Sequence, residues 1–267
     1  MADIHILGLG IRNIDHVTRE TEHLVASMNE VLFVDTGIAT EPWLRSLCPR
    51  VTPLFGESYV TGGHRLSAYH HMAARVVDAA LARAPVAFAM QGHPLVGVTA
   101  PGLIRRLADA LGLSVETHPG ISALDCLFAE LGLDPMRGGL QLFEATDLLL
   151  RRRPVDATVP LLVCQIGSVE SCLYSQRISR PERFERLRAH LLRVYPETHA
   201  VEALYVSPHP LVPTERIPFA LGQIGDVAAR LHAGHTLYVP PATERPISDT
   251  GLLGQITDPA HLARITR

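Results

Sequence analysis

Residues 86–98, VAFAMQGHPLVGV, determine how the rest of the chain is arranged. The stretch begins with small and apolar residues and then turns sharply at Gly92-His93-Pro94, before a helix signal at Pro101. This order is typical of a buried strand that delivers a loop to the edge of a sheet. Ligands of open α/β sheets bind beyond the carboxyl ends of the strands, where such loops lie. An ordinary strand-to-helix connection has the same pattern, so the stretch by itself names no ligand.

Strand and helix patterns alternate on both sides of this stretch, with a break near the middle of the chain. That rhythm predicts an α/β protein with two lobes, 1–118 and 119–241, followed by a short polar arm, 242–267. The other predicted strands are 5–9, 31–34, 114–117, 140–143, 161–165, 201–206 and 236–239. The predicted helices are 18–28, 66–83, 101–111, 122–131, 181–194 and 223–231.

Composition excludes several classes of function. The chain has 24 Lys and Arg residues against 27 Asp and Glu residues, a net charge of −3. Its longest basic run is 151–153, so we expect neither nucleic acid nor a membrane surface as a partner. No apolar run reaches the roughly 20 residues of a membrane span. Every basic residue other than histidine is arginine, and a chain without lysine cannot form a Schiff base with its substrate.

The cysteines and histidines do not form a recognisable metal motif in the sequence. No metal-type spacing joins the four cysteines, and no signal peptide precedes them, so we expect reduced thiols and a cytoplasmic location. They are Cys48, Cys126, Cys164 and Cys172. His70 and His71 diverge on a helix, and no carboxylate joins them and His64, so the sequence predicts no metal site.

A polar residue pair begins the predicted helix 66–83. Arg65 and Tyr69 are four residues apart and therefore share one helix face. They could form an ordinary surface pair, or the arginine could tune the phenol. The preceding connection, 43–63, contains Tyr59 and is long for a segment without regular structure. Loops of that length inside a compact domain are often functional.

Several separate motifs, in order, resemble one known family. Gly8-Leu9-Gly10, Gly92-His93-Pro94, PGISA at 119–123 and YVPP at 238–241 resemble the tetrapyrrole methylases. Most of those enzymes have Gly-Asp-Pro in the central loop. The Gly-His-Pro variant, with LFAELGLDP at 127–135 and EATD at 144–147, is similar to the borosin α-N-methyltransferases, which methylate backbone amides of a ribosomal peptide. The resemblance covers residues 6–241.

The resemblance implies a fold, a cofactor and a set of binding residues. The implied fold has a parallel sheet in the N-terminal lobe and a mixed sheet in the C-terminal lobe. S-adenosylmethionine would lie between the lobes and leave as S-adenosylhomocysteine. Ten residues would bind the cofactor at its amino-acid end, at the second turn (119–123) or at its adenosine. Some of them could instead be ordinary core residues. The ten are Gly92, His93, Pro94, Val96, Ser122, Ala123, Gln165, Tyr205, Thr236 and Leu237.

The chemistry of amide methylation explains why an arginine and tyrosines are needed. An amide nitrogen is a poor nucleophile because its lone pair is delocalised into the carbonyl. Its N–H proton must leave, and the oxygen charge that results must be stabilised. Tyr59, Arg65 and Tyr69 match the spacing of the borosin catalytic residues. We therefore expect Tyr69 to act as base or orienter, Arg65 to favour its phenolate form and bind the amide oxygen, and Tyr59 to position the peptide.

Two departures from the borosin pattern affect the substrate. Gln91 stands where relatives have a tyrosine, and a carboxamide can donate or accept a hydrogen bond but cannot act as a base. Self-methylating borosins continue beyond the catalytic domain into the modified core peptide, whereas this sequence stops at Arg267. We therefore expect a separate precursor peptide as substrate, the split arrangement of that family. The resemblance also implies a homodimer.

Two other readings remain open at this point. The first is a methyltransferase that acts on a corrin or porphyrin ring, against which Gly-His-Pro and EATD argue. The second is a partner protein that binds S-adenosylmethionine but has lost methyl transfer. A two-lobed structural protein is disfavoured because too many loop motifs match together.

Overall fold

Two five-stranded sheets organise the computed structural model, which describes residues 1–35 and 37–267. The first sheet has the order β3-β2-β4-β1-β5, and every neighbouring pair is parallel. Its strands are β1 (Ile4–Gly8), β2 (Glu30–Val34), β3 (Val51–Pro53), β4 (Val86–Met90) and β5 (Val115–His118). The predicted α/β class and the parallel N-terminal sheet are confirmed.

Central strand β4 is buried along its whole length because helices cover both faces of the first sheet. Phe88 packs with Met72 and Ile104 on one face, whereas Ala89 packs with Val25 and Leu44 on the other. A strand covered on both faces needs a continuous apolar run, which VAFAM supplies. The covering helices are α1 (Arg19–Ser27), α2 (Thr40–Leu47), α3 (Phe55–Ser58), α4 (Arg65–Arg83) and α5 (Ala100–Ala110).

The second sheet is mixed, as predicted. Its order is β6-β7-β10-β8-β9; β6 and β7 are parallel, and the other neighbouring pairs are antiparallel. Its strands are β6 (Gln141–Glu144), β7 (Leu161–Cys164), β8 (Ala200–Tyr205), β9 (Glu215–Ala220) and β10 (Thr236–Val239). Helices α6 (Ala123–Leu131), α7 (Ala145–Leu150) and α8 (Glu185–Leu191) accompany it. Val163, Phe184 and Leu237 are fully buried in its core.

Two predicted helix starts have the capping hydrogen bonds that the sequence suggests. The Thr18 side chain accepts from the Thr21 amide at 3.1 Å and begins α1. Ser122 and Asp125 form a reciprocal capping box at the start of α6. Each cap satisfies amides that have no partner within the helix. Thr18 and Ser122 thus fix where the chain leaves the sheet and enters a helix.

Three glycines meet at the carboxyl edge of the first sheet. A Cβ on Gly8 would lie 2.6 Å from both the Gly92 oxygen and the Gly120 nitrogen, and one on Gly120 would lie 2.6 Å from the same Gly92 oxygen. The Gly92 amide also donates to the Gly10 oxygen at 2.8 Å. The loops that follow β1, β4 and β5 therefore pack backbone against backbone.

Four segments differ from their predicted structure. The connection predicted for 43–63 is not structureless, because it contains the end of α2, all of β3 and all of α3. Short elements rich in Pro and Gly give weak periodicity, which hides them in the sequence. Strand β9 was not predicted, and 223–231 forms isolated 3₁₀ turns rather than one helix. The predicted helix 181–194 is divided into a 3₁₀ turn and α8.

Residues 242–267, predicted to be a short arm, contain two small helices. These are α9 (Thr250–Gln255) and α10 (Pro259–Ile265), and neither has a buried residue. Across the residues that the structure describes, no helix has both the length and the apolar character to span a bilayer.

The glycine contact predicts a large effect of one methyl group. Gly120→Ala places a Cβ against backbone atoms that cannot rotate away, so the free energy of unfolding should fall by about 1–3 kcal/mol or more. Gly102→Ala in α5 is the control, because a Cβ there meets nothing within 4 Å. That helical substitution should raise stability by up to about 1 kcal/mol. Urea denaturation measures both, and equal values would contradict the contact.

A buried phenol predicts how stability changes at alkaline pH. Tyr195 is 2% exposed and packs on His199, and its hydroxyl has no hydrogen-bond partner among the described residues. Burial, with a smaller contribution from Asp156, raises the pKa of Tyr195 to about 12. The folded state thus holds this proton more tightly than the unfolded chain, whose tyrosine pKa is about 10. The contribution of this proton to the free energy of unfolding is complete below about pH 10 and is lost between about pH 10 and 12.

Tyr195→Phe should therefore flatten the alkaline loss of stability. Near pH 8 its free energy of unfolding should lie within about 0.5 kcal/mol of the wild-type value, because the hydroxyl has no partner to lose. Near pH 11 the variant should be the more stable by on the order of 1 kcal/mol. Denaturation curves at both pH values test this, and parallel pH profiles would show that Tyr195 ionises normally.

Candidate functional site

A cavity of about 620 Å³, here called the interlobe cavity, lies between the two sheets. Its walls come from the start of α4, the loop after β4, α7 and the loop after β7. They include His64, Arg65, Leu66, Tyr69, Gly97, Val98, Thr99, Glu144, Thr146, Asp147, Gln165, Ser171 and Cys172. This volume is within the range of about 300–1,000 Å³ that small-molecule sites occupy.

A second cavity of about 300 Å³, here called the aromatic pocket, adjoins the first. It contains three aromatic rings that the interlobe cavity lacks, those of Phe55, Tyr59 and Tyr174. The two cavities share Arg65, Tyr69, Gly97, Val98 and Gln165. The three predicted catalytic residues are therefore brought together where the two cavities meet.

Backbone hydrogen bonds join the lobes beside this site. The Gly62 amide donates to the Tyr174 oxygen at 2.8 Å, and the Tyr174 amide donates to the Gly63 oxygen at 2.9 Å. The Arg65 amide donates to the Cys172 oxygen at 2.8 Å. The segment that enters α4 is thereby held against 172–174 of the second lobe, so Arg65 is placed by both lobes.

The Arg65 side chain is half-buried and has one clear anchor. Its Nη2 donates to the Ser171 backbone oxygen at 2.6 Å. This is the hydrogen bond that the Arg65 side chain makes among the described residues. A guanidinium has five N–H donors in a fixed plane, so several remain for a ligand oxygen. Arg65 is a positioned cation at the wall of both cavities.

The tyrosines form an aromatic cluster next to this cation. The Tyr59 and Tyr69 rings meet edge to face at 6.3 Å between centroids, and Tyr174 lies 4.8 Å from Tyr59. Burial raises the pKa of Tyr59 above its ordinary value, the Tyr69 phenol raises it further, and Arg65 acts in the opposite sense. Tyr59 is thus a neutral phenol at physiological pH, able to donate a hydrogen bond.

Gln165 links the lobes from the other side of the cavity. Its backbone is left-handed, with φ of 58°, and its Nε2 donates to the Gly97 oxygen at 3.2 Å. A left-handed conformation is strained for residues other than glycine, and such strain concentrates at functional sites. Of the ten predicted cofactor residues, Gln165 is the one that lines both cavities.

Four other predicted cofactor residues lie on the turn after β4. Gly92 has a φ of 77°, and a Cβ added there would lie 3.2 Å from Ile11 Cδ1. Pro94 is buried, and the Nδ1 of half-buried His93 accepts from the Leu95 amide at 3.1 Å. Val96 is 36% exposed, between the cavity-lining residues Leu95 and Gly97. The turn therefore adjoins the interlobe cavity.

The remaining predicted cofactor residues are less accessible. The Ser122 hydroxyl donates to Asp125 at 2.7 Å within the capping box, and Ala123 begins α6. Tyr205 packs on His232 at 4.5 Å. Thr236 is buried at the start of β10. The Leu237 side chain is fully buried in the second core, and its backbone pairs with β7 and β8. The structure does not bring Tyr205, Thr236 and Leu237 into the two cavities.

Two residues at the cavity walls were not predicted as site residues. The Thr146 hydroxyl is buried without a hydrogen-bond partner among the described residues, and Thr146 lines the interlobe cavity. Tyr174 stacks on Tyr59 in the aromatic pocket. The EATD motif pointed to Thr146 as part of the resemblance. No local signal marks Tyr174, because its neighbours come from the other lobe.

Known proteins resemble the chain over most of its length. It is 28% identical over 247 residues to a methyltransferase/ribosomally synthesized cyclic peptide dendrothelin A precursor from Dendrothele bispora, covering 91% of this chain and 58% of that protein. It is 30% identical over 246 residues to a methyltransferase/type I borosin cyclic peptide precursor from Coprinopsis marcescibilis, covering 88% of this chain and 61% of that protein. The chain thus spans about three fifths of these relatives.

A solved structure shares the fold of this chain, and a family model matches most of its length. Uroporphyrin-III C-methyl transferase from Thermus thermophilus, complexed with S-adenosylhomocysteine, superposes with a TM-score of 0.59 at 17% identity, covering 89% of this chain and 91% of that one. The likeness concerns the fold. Residues 3–204 match the family model of tetrapyrrole (corrin/porphyrin) methylases. The resemblance predicted from the sequence motifs is confirmed, and the chain belongs to the tetrapyrrole methylase family of methyltransferases.

Proposed function

We propose that the protein is an S-adenosylmethionine-dependent α-N-methyltransferase that methylates backbone amides of a ribosomal peptide. The observation that carries this proposal is the convergence of Tyr59, Arg65 and Tyr69 where the two cavities meet. Relatives whose names join a methyltransferase to a cyclic peptide precursor support a peptide substrate.

The three residues divide the work that amide methylation requires. The Tyr69 oxygen, once its own proton has passed to solvent, is the group placed to take the amide N–H proton. The free N–H groups of Arg65 hold the negative charge that then develops on the amide oxygen, as a preorganised donor site does. Tyr59, whose pKa is raised by burial, keeps its proton and donates a hydrogen bond that positions the peptide. Ser171 fixes the guanidinium in place from the second lobe.

The residues around the interlobe cavity fit S-adenosylmethionine. The turn after β4 and the carboxamide of Gln165 would hold its amino-acid end, and the unpartnered Thr146 hydroxyl offers a further hydrogen bond. When bound, this cofactor supplies an electrophilic methyl group. Ser122 and Ala123 border the same edge of the sheet. Tyr205 near the second turn, and Thr236 and Leu237 at the adenosine, are proposed on the resemblance alone.

The proposal includes a separate precursor peptide, a homodimer and a cytoplasmic location. Among the described residues, none from the arm 242–267 lines either cavity, which leaves them available to a separate peptide in this proposal. The exposed helices α9 and α10 carry Leu252, Leu253 and Leu262, apolar side chains suited to a second copy. All four cysteines are free thiols, which suits a reducing compartment.

Substitutions of the three residues should separate their roles. Tyr69→Phe removes the proton acceptor and should lower the rate of methyl transfer at least about 100-fold. Arg65→Lys keeps the charge but loses the planar donors, and it should cost a similar factor. Tyr59→Phe should act mainly on peptide KM, by about tenfold. Initial rates by mass spectrometry measure these effects.

The matched control for these variants is Tyr195→Phe, a buried tyrosine in the second core that lines neither cavity. It should methylate at the wild-type rate. Full activity of Tyr69→Phe would remove that residue from the reaction.

The cofactor assignment predicts a binding defect in a single histidine variant. His93→Ala should weaken S-adenosylhomocysteine binding by about tenfold, the loss expected for one hydrogen bond or close contact at the turn after β4. His23→Ala, an exposed histidine on α1, is the control and should bind normally. Isothermal titration calorimetry measures both variants, and equal affinities would place the cofactor away from His93.

The substrate proposal is tested by co-expressing the protein with short peptides encoded beside its gene. Methyl masses on backbone nitrogens of such a peptide, located by tandem mass spectrometry, would support the proposal. Methyl masses on the chain itself would instead indicate a fused substrate. Methylation of a supplied tetrapyrrole would favour the ring methyltransferase, and cofactor binding without turnover would favour a non-catalytic partner.

A further inference from the structure

A cluster of two histidines and a glutamate lies on the first sheet, outside the two cavities. His5 of β1 is paired in register with Glu116 of β5, and His118 lies two residues further along the same strand. Alternate residues of a strand point to the same face, so Glu116 and His118 share a face and flank His5. Their ligand atoms all lie within 4.8 Å of one another.

The distances between these atoms match those of a metal coordination site. His5 Nδ1 and His118 Nε2 are 3.1 Å apart, and Glu116 Oε2 lies 3.6 Å from the former and 3.8 Å from the latter. Zinc–ligand bonds of about 2.0–2.2 Å at tetrahedral angles separate two ligands by about 3.3–3.5 Å. Small side-chain shifts would therefore bring all three atoms around one ion.

A second carboxylate orients one of the histidines. Glu20 Oε1 of α1 lies 3.1 Å from His118 Nδ1. A hydrogen bond there places the proton on Nδ1 and directs the Nε2 lone pair towards the cluster, as carboxylates do behind many metal-bound histidines.

A simple core pair of histidines explains the arrangement less well. His5 is 1% exposed, and its Nδ1 has Glu116 Oε2 at 3.6 Å as well as His118 Nε2 at 3.1 Å, so three ligand atoms converge where an imidazole pair needs two. Glu20 and Glu116 also bring two carboxylates to one side of the sheet, and neither has an arginine partner among the described residues.

We propose that His5, Glu116 and His118 form a binding site for a divalent transition-metal ion, Zn²⁺ in the first place, with Glu20 as the positioning residue. Two imidazoles and one carboxylate are a donor set that zinc accepts, and the Glu116 side chain is 61% exposed, so a fourth position is open to water. The ion would join β1 to β5. Because His118 precedes the turn to Gly120, it would also fix the loop that packs on Gly8 and Gly92.

A second cluster, Glu215, His232 and His235, is the competing site. There Arg230 donates to Glu215 at 3.0 Å, and this cation opposes a metal ion. His235 Nδ1 already accepts from the His232 amide at 3.2 Å. The first cluster has no arginine on its carboxylates among the described residues, so it is favoured. Glu215→Gln then serves as the comparison variant.

The test is titration of the full chain, without an affinity tag and freed of metal by a chelator, with Zn²⁺ alone. The expected result is one Zn²⁺ per chain, with binding weakened at least about tenfold in Glu116→Ala and in Glu20→Gln. Glu22→Gln, an exposed carboxylate on the same helix as Glu20, should bind as the wild type does. Circular dichroism checks that each variant is folded.

Co²⁺ gives a readout that does not depend on variants, because tetrahedral nitrogen and oxygen ligation produces intense visible absorption. The proposal would be overturned by three results: no stoichiometric Zn²⁺ binding, unchanged binding in Glu116→Ala, or loss of binding in Glu215→Gln instead. If Zn²⁺ did not bind stoichiometrically, His5 and His118 would be only a hydrogen-bonded pair of imidazoles.

Discussion

The contact of three backbones at Gly8, Gly92 and Gly120 is the constraint on which the rest of the molecule depends. It is possible only because Gly8 and Gly120 have no Cβ, while Gly92 contributes its carbonyl oxygen. With the loops after β1, β4 and β5 packed this closely, the turn after β4 is directed towards the second lobe. The interlobe cavity and the Gln165–Gly97 hydrogen bond both lie on that side.

The candidate catalytic residues do not belong to this glycine edge. They lie on α4 and on the segment before it, and the second lobe holds that segment through backbone hydrogen bonds to 172–174. The Ser171 oxygen then fixes the Arg65 guanidinium. Ser171 holds Arg65 and Gln165 holds Gly97, so a change in the angle between the lobes would strain both contacts at once, which couples the two sides of the site.

The sequence predicted those parts of the structure whose signals are local. The buried run of β4, the caps at Thr18 and Ser122 and the apolar stripe of α4 each depend on residues close in sequence, and all are present. The short elements within 43–63 were missed because stretches rich in Pro and Gly have weak periodicity, and β9 was missed because Pro218 interrupts the pattern of this edge strand. Tyr174 was missed because it reaches Tyr59 across the lobes. The spacing of Arg65 and Tyr69 was visible, but their place at the meeting of two cavities was not.

The glycine edge and the segment that carries the candidate catalytic residues are separate parts of the fold, which explains how one scaffold can serve different methyl acceptors. The fold is shared with a uroporphyrin-III methyltransferase at only 17% identity, so few side chains are needed to specify the two sheets. The glycine edge, by contrast, tolerates little change because its contacts are between backbones. Substrate chemistry is then free to vary on the segment from α3 to the start of α4, which packs on the sheet without forming its central strands. In this chain that segment supplies a cation beside two phenols, a combination suited to an acceptor whose proton must leave and whose oxygen gains charge, as in a backbone amide.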